Sequence, residues 1–252
     1  MPRMFRYGPD EAQFGELYLP AGLPRATICL FHGGFWRMPY DLTQMSAFAS
    51  DLSAAGYVVW NLEYRRIGAP GGGFPGSLED AASGIDHLAI LAGQFGQVDL
   101  CRVVAVGHSA GGHLALWAAG RLNGHLKLAG AAGLAPLADL EDADELGLGR
   151  NAVTEFLGAD GGEKDRHLRE ASPRHRLPTG VRQLILHGDD DEAVPVDLSR
   201  RYAAAAAAAG DDVEYVELAG GDHMAFLDPA SVAHAALKAW LDQLWPETTP
   251  VS

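Results

Sequence analysis

One serine stands in a setting that favours nucleophilic chemistry. Ser109 lies in the segment 107–111 (GHSAG), after the apolar run 102–106 and before a helical pattern at 113–122. A nucleophile elbow requires this strand–turn–helix context, because flanking glycines let neighbouring elements pack closely around a strained turn. The helix dipole at such a turn also favours developing negative charge. The sequence therefore predicts that Ser109 is a nucleophile.

A serine hydroxyl needs an adjacent base that is oriented by an acid. Four consecutive acids at 189–192 follow the apolar run 183–186, and chemistry alone does not choose among them. Two histidines come after these acids. His223 follows the strand-like run 213–218 in a loop that can reach the edge of a sheet, whereas His234 falls inside the last helical pattern. We predict that His223 is the base and that His234 is a helix-surface or packing residue.

The elements that must position these residues alternate along the chain. Short apolar runs rich in β-branched residues predict strands, most of them central and parallel. These runs are 26–31, 57–62, 102–106, 128–134, 183–186 and 213–218. Alternation of such strands with helical patterns is typical of an α/β fold.

Helix boundaries are predicted from capping and breaking residues. Ser77 and Asp80 form a variant capping box that predicts a helix from there to about residue 95. Asp197 is predicted to begin, and Gly210 to end, a helix that carries the alanine run 203–209. Asp228 and Pro229 are predicted to begin a last helix that Pro246 ends.

A single domain over residues 1–252 is the simplest organisation, since no Pro/Ser-rich linker or change in composition divides the chain. The stretch 139–175 is acidic, interrupted by glycines and placed between two predicted strands. We expect an insertion over one end of the sheet, which is either a solvated excursion or part of a substrate-binding lid.

Composition narrows the possible partners and compartment. The chain has 19 Lys and Arg against 33 Asp and Glu, and the net charge of −14 disfavours binding to nucleic acid or to an anionic membrane surface. Cys29 and Cys101 are predicted to be buried core residues of a protein in a reducing compartment. We expect a cytoplasmic protein without a secretory signal or a membrane span. Neither HExxH nor a paired CxxC occurs, so zinc is not implied.

Four motifs together resemble the α/β-hydrolase fold of esterases and lipases. They are HGGFW at 32–36, GHSAGG at 107–112, HGDDDEAVP at 187–195 and GGDH at 220–223, and the resemblance covers about 26–245. It implies a mostly parallel twisted sheet with helices on both faces and the chain order nucleophile, acid, base. Asp191 is the implied acid, because it precedes Val194 by three residues as in the hydrolase pattern. Asp190 is the alternative.

The resemblance also implies an oxyanion hole. In α/β-hydrolases the loop after the first long strand supplies backbone N–H groups to it, and the residue after the nucleophile supplies another. Gly34, Phe35 and Ala110 are the corresponding residues. The candidates for substrate contact are the side chains of Phe35, Trp36, Phe74 and His108.

Two further sets of motifs resemble two different groups of α/β-hydrolases. Glu63-Tyr64-Arg65 with Phe74-Pro75 is similar to hormone-sensitive-lipase-like esterases, whereas HGG-aromatic-Trp with GHSAG resembles kynurenine formamidases (arylformamidases) and small bacterial and feruloyl-esterase-like proteins. The expected activity is cleavage of a small or aryl carboxylic ester through an acyl-enzyme, without a cofactor. The alternatives are an arylformamidase, which cleaves an amide, and a non-catalytic ligand-binding protein of the same fold.

Overall fold

One mixed sheet of eight strands organises the computed structural model, which describes residues 1–121 and 124–245. The strands are β1 (Arg3–Arg6), β2 (Phe14–Tyr18), β3 (Thr27–Phe31), β4 (Val58–Leu62), β5 (Val103–His108), β6 (Gly130–Leu134), β7 (Arg182–Gly188) and β8 (Val213–Leu218). Their order in the sheet is β1-β2-β4-β3-β5-β6-β7-β8. β1 and β2 pair antiparallel at one edge, and all pairs from β4 to β8 are parallel.

Helices cover both faces of this sheet. They are α1 (Ser46–Ala54), α2 (Gly76–Asp86), α3 (Leu88–Gln94), α4 (Ala110–Ala119), α5 (Leu140–Glu145), α6 (Leu148–Leu157), α7 (Gly161–Ala171), α8 (Val196–Ala209) and α9 (Val232–Leu244). Short 3₁₀ helices occupy Leu42–Met45, Pro173–Arg176 and Ala225–Leu227. The predicted α/β class with a mostly parallel sheet is confirmed. Among the described residues, no helix has the length and apolar character needed to cross a membrane.

The two faces of the sheet have separate apolar cores. Phe48 of α1 and Trp240 of α9 pack in one core, and Leu114 of α4 and Tyr202 of α8 pack in the other. β3, β4, β5 and β6 are buried along their whole length. A strand covered on both faces is apolar almost throughout, which is why these strands could be predicted from continuous runs rather than from alternation.

The parallel register brings the ends of distant strands to one edge. Phe31 pairs with Gly107, His108 with Leu134, and Leu134 with Leu186. The loops that follow β3, β5, β7 and β8 therefore leave the sheet at the same carboxyl edge. These loops carry the four motifs identified in the sequence, so residues far apart in the chain meet there.

Several predicted boundaries are wrong. The N-cap of α2 is Pro75, and the Ser77 hydroxyl instead donates to the carbonyl of Arg65 at 2.6 Å. Asp80 binds the Arg65 guanidinium, so neither residue of the expected capping box caps the helix. The single helix expected up to residue 95 is divided into α2 and α3 at His87.

Other local expectations need correction too. Asp197 lies in the first turn of α8 and pairs with Arg200, while Ser231 caps α9 in place of Asp228 and Pro229. Cys101 is exposed, because it lies in the turn before β5 begins. The predicted helix limits at Leu122 and Pro246 lie outside the described residues.

Residues 139–175, which we call the cap segment, lie between β6 and β7 and form α5, α6, α7 and most of the 3₁₀ helix Pro173–Arg176. Its buried side chains Val153, Phe156 and Leu168 belong to the core that contains α4. The cap segment is therefore packed onto the domain. Its action as a lid stays a prediction.

Close backbone contacts around the turn after β5 leave no room for side chains. A Cβ added at Gly107 would lie 2.1 Å from the carbonyl oxygen of Gly111, and one added at Gly111 would lie 2.2 Å from that of Phe31. These distances are far shorter than van der Waals contact. The glycines of the GHSAG segment thus allow α4 to pack directly against β5 and the end of β3.

We expect Gly107→Ala to lower the free energy of unfolding by about 3 kcal/mol or more, because backbone atoms must move to admit the methyl group. Gly93→Ala is the matched control, since no atom lies within 4 Å of its added Cβ. We expect Gly93→Ala to raise the free energy of unfolding by about 0.5–1 kcal/mol, because alanine has a higher helix propensity than glycine in α3. Urea unfolding measures both, and equal effects of the two substitutions would contradict the close-contact explanation.

Candidate active site

Ser109 occupies the sharp turn between β5 and α4. Its φ of 55° and ψ of −118° are strained for a residue with a side chain. Its N–H donates to the carbonyl of Leu134 at 2.8 Å, and its carbonyl accepts from the N–H of His113 at 3.1 Å. The N–H of Ala110 begins α4, where the first turn has no acceptor within the helix. The turn thus presents the serine beside free N–H groups, as an elbow requires.

The predicted acid Asp191 and the predicted base His223 are in direct contact. The Nδ1 atom of His223 lies 2.7 Å from Oδ2 of Asp191, which also faces Nε2 of His187 at 3.1 Å. The other carboxylate oxygen accepts from the N–H groups of Ala193 at 2.9 Å and Val194 at 2.8 Å. The Asp191 side chain is fully buried, and donors surround both of its oxygens.

These contacts determine the charge of the acid. Burial raises the pKa of Asp191, but the hydrogen bonds from His187, His223 and Val194 together lower it by more, so the pKa lies well below its ordinary value. Asp191 is therefore a carboxylate at neutral pH. A buried carboxylate on Nδ1 fixes the tautomer of His223 and stabilises an imidazolium there.

The alternative acid Asp190, the alternative base His234 and the nearby acid Asp222 are placed elsewhere. Asp190 is exposed, and Asp222 accepts from the N–H groups of Met224 and Ala225. His234 packs on α9 against Phe48, with Nε2 at 2.7 Å from Asp51. Of the residues weighed in the sequence, only Asp191 and His223 are brought together as acid and base.

The Ser109–His223 contact remains a prediction. Within residues 1–121 and 124–245 the Ser109 hydroxyl forms no hydrogen bond. His223 nevertheless lies beside the turn, because its ring centre is 4.7 Å from that of His108, the residue before Ser109. Catalytic hydrogen bonds are often long in the absence of substrate, so this geometry suits a serine and base that approach when a substrate binds.

The loop after β3 has the conformation of a candidate oxyanion hole. Gly34, Phe35 and Trp36 have φ values of 99°, 50° and 55°, and the N–H of Arg37 closes the turn onto the Gly34 carbonyl at 3.0 Å. A Cβ added to Gly33 would lie 3.2 Å from Cβ of Ser109, so the loop touches the elbow. No hydrogen bond among the described residues uses the N–H of Gly34 or Phe35, which leaves both free to bind an anion.

A second buried carboxylate supports this loop, a role that sequence reasoning did not assign to it. Glu63 faces Nε2 of His32 at 3.0 Å and accepts from the N–H groups of Leu42 and Tyr64. The Tyr64 ring stacks on His32, and its hydroxyl donates to the His32 carbonyl at 3.0 Å. The signal was an acid at the end of a fully buried strand, since a carboxylate is rarely buried unless it is paired.

The predicted substrate-contact residues differ in exposure. Trp36 is completely buried, donates from its indole N–H to Nδ1 of His113 and stacks on Phe156. The prediction that Trp36 contacts the substrate is therefore wrong, because its side chain has no exposed surface. Phe74 is partly buried with its ring 4.4 Å from that of His167. His108 is buried beneath the base rather than facing open space.

Arg37, which sequence reasoning did not single out, ties the loop to the cap segment. Its guanidinium donates to the carbonyls of Gly149 at 2.5 Å and Arg150 at 3.3 Å, and its Nε atom donates to Glu155 at 2.6 Å. Both Gly149 and Arg150 have left-handed φ values, and a Cβ added to Gly149 would lie 2.6 Å from the Phe35 ring. The loop after β3 and the cap segment therefore stabilise each other's left-handed backbone conformations.

The fold and the geometry of the site define an α/β-hydrolase, and comparison with known proteins agrees. A family model described as BD-FAE matches residues 16–205. The chain belongs to the BD-FAE family.

Similar proteins are named esterases. The probable isoprenylcysteine alpha-carbonyl methylesterase ICMEL1 of Arabidopsis thaliana is 26% identical over 88% of this chain and 50% of that protein. The chain spans about half the length of the curated relatives it matches. A thermophilic esterase, Est2 of Thermogutta terrifontis, has a TM-score of 0.79 with 22% identity and covers 98% of this chain and 95% of its own. A truncated carbohydrate esterase from gut microbiota has a TM-score of 0.82 with 17% identity, and the match covers 96% of both chains.

We expect Arg37→Met to loosen α6, because the substitution removes the donors that hold the carbonyls of Gly149 and Arg150. Hydrogen exchange should show the amides of α6 exchanging about tenfold faster or more. Arg166→Met is the control, since Arg166 on α7 is an exposed arginine whose ion pair with Glu163 lies within its own helix. Unchanged exchange in α6 of Arg37→Met would contradict this role of the guanidinium.

Proposed function

We propose that the chain is a carboxylesterase that cleaves a small or aryl ester with Ser109, His223 and Asp191 as its catalytic triad. The observation that supports this most strongly is the 2.7 Å contact between Asp191 and Nδ1 of His223, beside the strained Ser109 turn. A buried carboxylate on one imidazole nitrogen leaves the other nitrogen free to take a proton from a hydroxyl.

In the first half-reaction, the Oγ atom of Ser109 attacks the ester carbonyl carbon while Nε2 of His223 takes the hydroxyl proton. The carbonyl oxygen becomes an oxyanion, which the N–H groups of Gly34, Phe35 and Ala110 stabilise. When the tetrahedral intermediate collapses, the C–O bond to the alcohol breaks and His223 gives its proton to the leaving oxygen. Ser109 then carries the acyl group.

In the second half-reaction, water attacks the acyl carbonyl and His223 takes its proton. The same N–H groups hold the second oxyanion, whose collapse releases the carboxylic acid and returns the proton to Ser109. Asp191 stays ionised throughout and stabilises the imidazolium at each step. The residues need no metal or organic cofactor for this sequence.

Aromatic side chains beside the oxyanion loop favour an apolar or aryl substrate. Phe35 is partly exposed, and Tyr40, which sequence reasoning did not select, is 49% exposed. A Cβ added to Gly34 would lie 2.4 Å from Cβ of Tyr40, so the Tyr40 ring adjoins the loop. The esterase names of the relatives support the same reaction class.

We expect Ser109→Ala to abolish turnover of p-nitrophenyl esters from acetate to octanoate, because the acyl group then has no acceptor. Asp191→Asn should lower kcat by about 10³- to 10⁴-fold, since the amide favours the wrong tautomer of His223. Asp190→Asn is the control, and its kcat should stay within about twofold of the native value.

Substrate comparison separates this proposal from its alternatives. A far higher kcat/KM for N-formylkynurenine than for p-nitrophenyl acetate would identify an arylformamidase instead. Turnover that survives in Ser109→Ala would contradict the triad. Ester or formamide affinity without any turnover in the native chain would indicate a non-catalytic binding protein.

A further inference from the structure

His108 lies directly beneath the predicted base. Its Nε2 atom is 2.8 Å from the main-chain carbonyl oxygen of His223, and the two ring centres are 4.7 Å apart with an interplanar angle of 46°. Phe226 stacks near the His108 ring at 6.1 Å, with an angle of 28° between the planes. His108 thus contacts both the backbone and the ring of His223.

The contact with a carbonyl determines the tautomer of His108. A carbonyl oxygen can only accept, so Nε2 of His108 carries the hydrogen and Nδ1 carries a lone pair. Burial, followed by the nearby charge of His223, lowers the pKa of His108 to about 3. The ring is therefore neutral at ordinary pH and does not repel an imidazolium that forms on His223.

The lone pair on Nδ1 makes this arrangement unusual. Within the described part of the chain this buried atom has no hydrogen-bond partner, and a Cβ added to Gly33 would lie 3.1 Å from it. A buried polar atom without a partner is unfavourable and calls for an explanation. An apolar side chain would fill the same space without this cost, but it could not donate to the His223 carbonyl.

We propose that His108 is a positioning residue for the base, because its N–H holds the His223 backbone while Asp191 holds the His223 ring. This inference rests on the proposed function, in which His223 is the base. Two attachments, at the main chain and at Nδ1, restrict movement of the imidazole. They leave Nε2 as the ring nitrogen that takes the proton of Ser109 in the proposed mechanism. The loop after β8 needs such an attachment, because His223 lies outside any helix or strand.

The test compares His108→Gln with His108→Met. The two side chains are similar in size, but only glutamine has an N–H donor for the carbonyl of His223. We expect kcat for p-nitrophenyl acetate to fall about 10- to 100-fold in His108→Met, with KM within about threefold, because the base is misaligned while substrate binding persists. His108→Gln should recover most of this loss. If His108→Met does not fold, His108→Phe replaces it, since phenylalanine also lacks the donor.

His234→Phe is the matched control. His234 is also buried, also has an unpartnered Nδ1 atom, and bonds Asp51 on α1. We expect His234→Phe to lower the midpoint of urea unfolding without changing kcat by more than about twofold. Equal kcat in His108→Gln and the donor-free variant, or an equal loss in His234→Phe, would overturn the proposal. Turnover in Ser109→Ala would instead overturn the proposed function, so the two failures are distinguishable.

Discussion

The arrangement of the site depends on the hydrogen bonds of one buried carboxylate, that of Asp191. It faces ring nitrogens of His187 and His223 and accepts from two backbone N–H groups of its own loop. A buried charge is stable only when its hydrogen-bonding capacity is filled, so the loop after β7 and the loop after β8 must both keep their conformations. One side chain thus organises the acid loop and orients the imidazole.

The loop after β3 depends on a second buried carboxylate in a similar way. Glu63 holds His32 where this loop begins, and Arg37 holds the cap segment where the loop ends. Between them lie three consecutive residues with positive φ, and the strain at Phe35 and Trp36 persists because both ends of the loop are fixed. This loop meets the Ser109 turn, because a Cβ added to Gly33 would lie 3.2 Å from Cβ of Ser109.

The sequence was informative about the buried strands and the turns that follow them, and it was wrong about the helix caps at Ser77, Asp197 and Asp228. The strand runs and the elbow at Ser109 follow from burial and glycine spacing, and His223 follows from its place after a strand. Contacts between distant segments were not predictable. The Ser77 hydroxyl donates to a carbonyl outside its helix, and Trp36 packs against the cap segment. In the sequence Arg37 resembles an ordinary surface residue, although its guanidinium binds the cap segment. β1 and β2 were missed because short strands at the sheet edge lack a continuous apolar run.

Covalent labelling of the nucleophile tests the central claim most directly. The native chain and Asp191→Asn would be treated with diethyl p-nitrophenyl phosphate, and the peptides would then be mapped by mass spectrometry. The account predicts one diethylphosphoryl group on Ser109 in the native chain and much slower labelling in Asp191→Asn, because the base is no longer oriented. Labelling of another residue, or an equal rate in the two proteins, would contradict a serine activated by the Asp191–His223 pair.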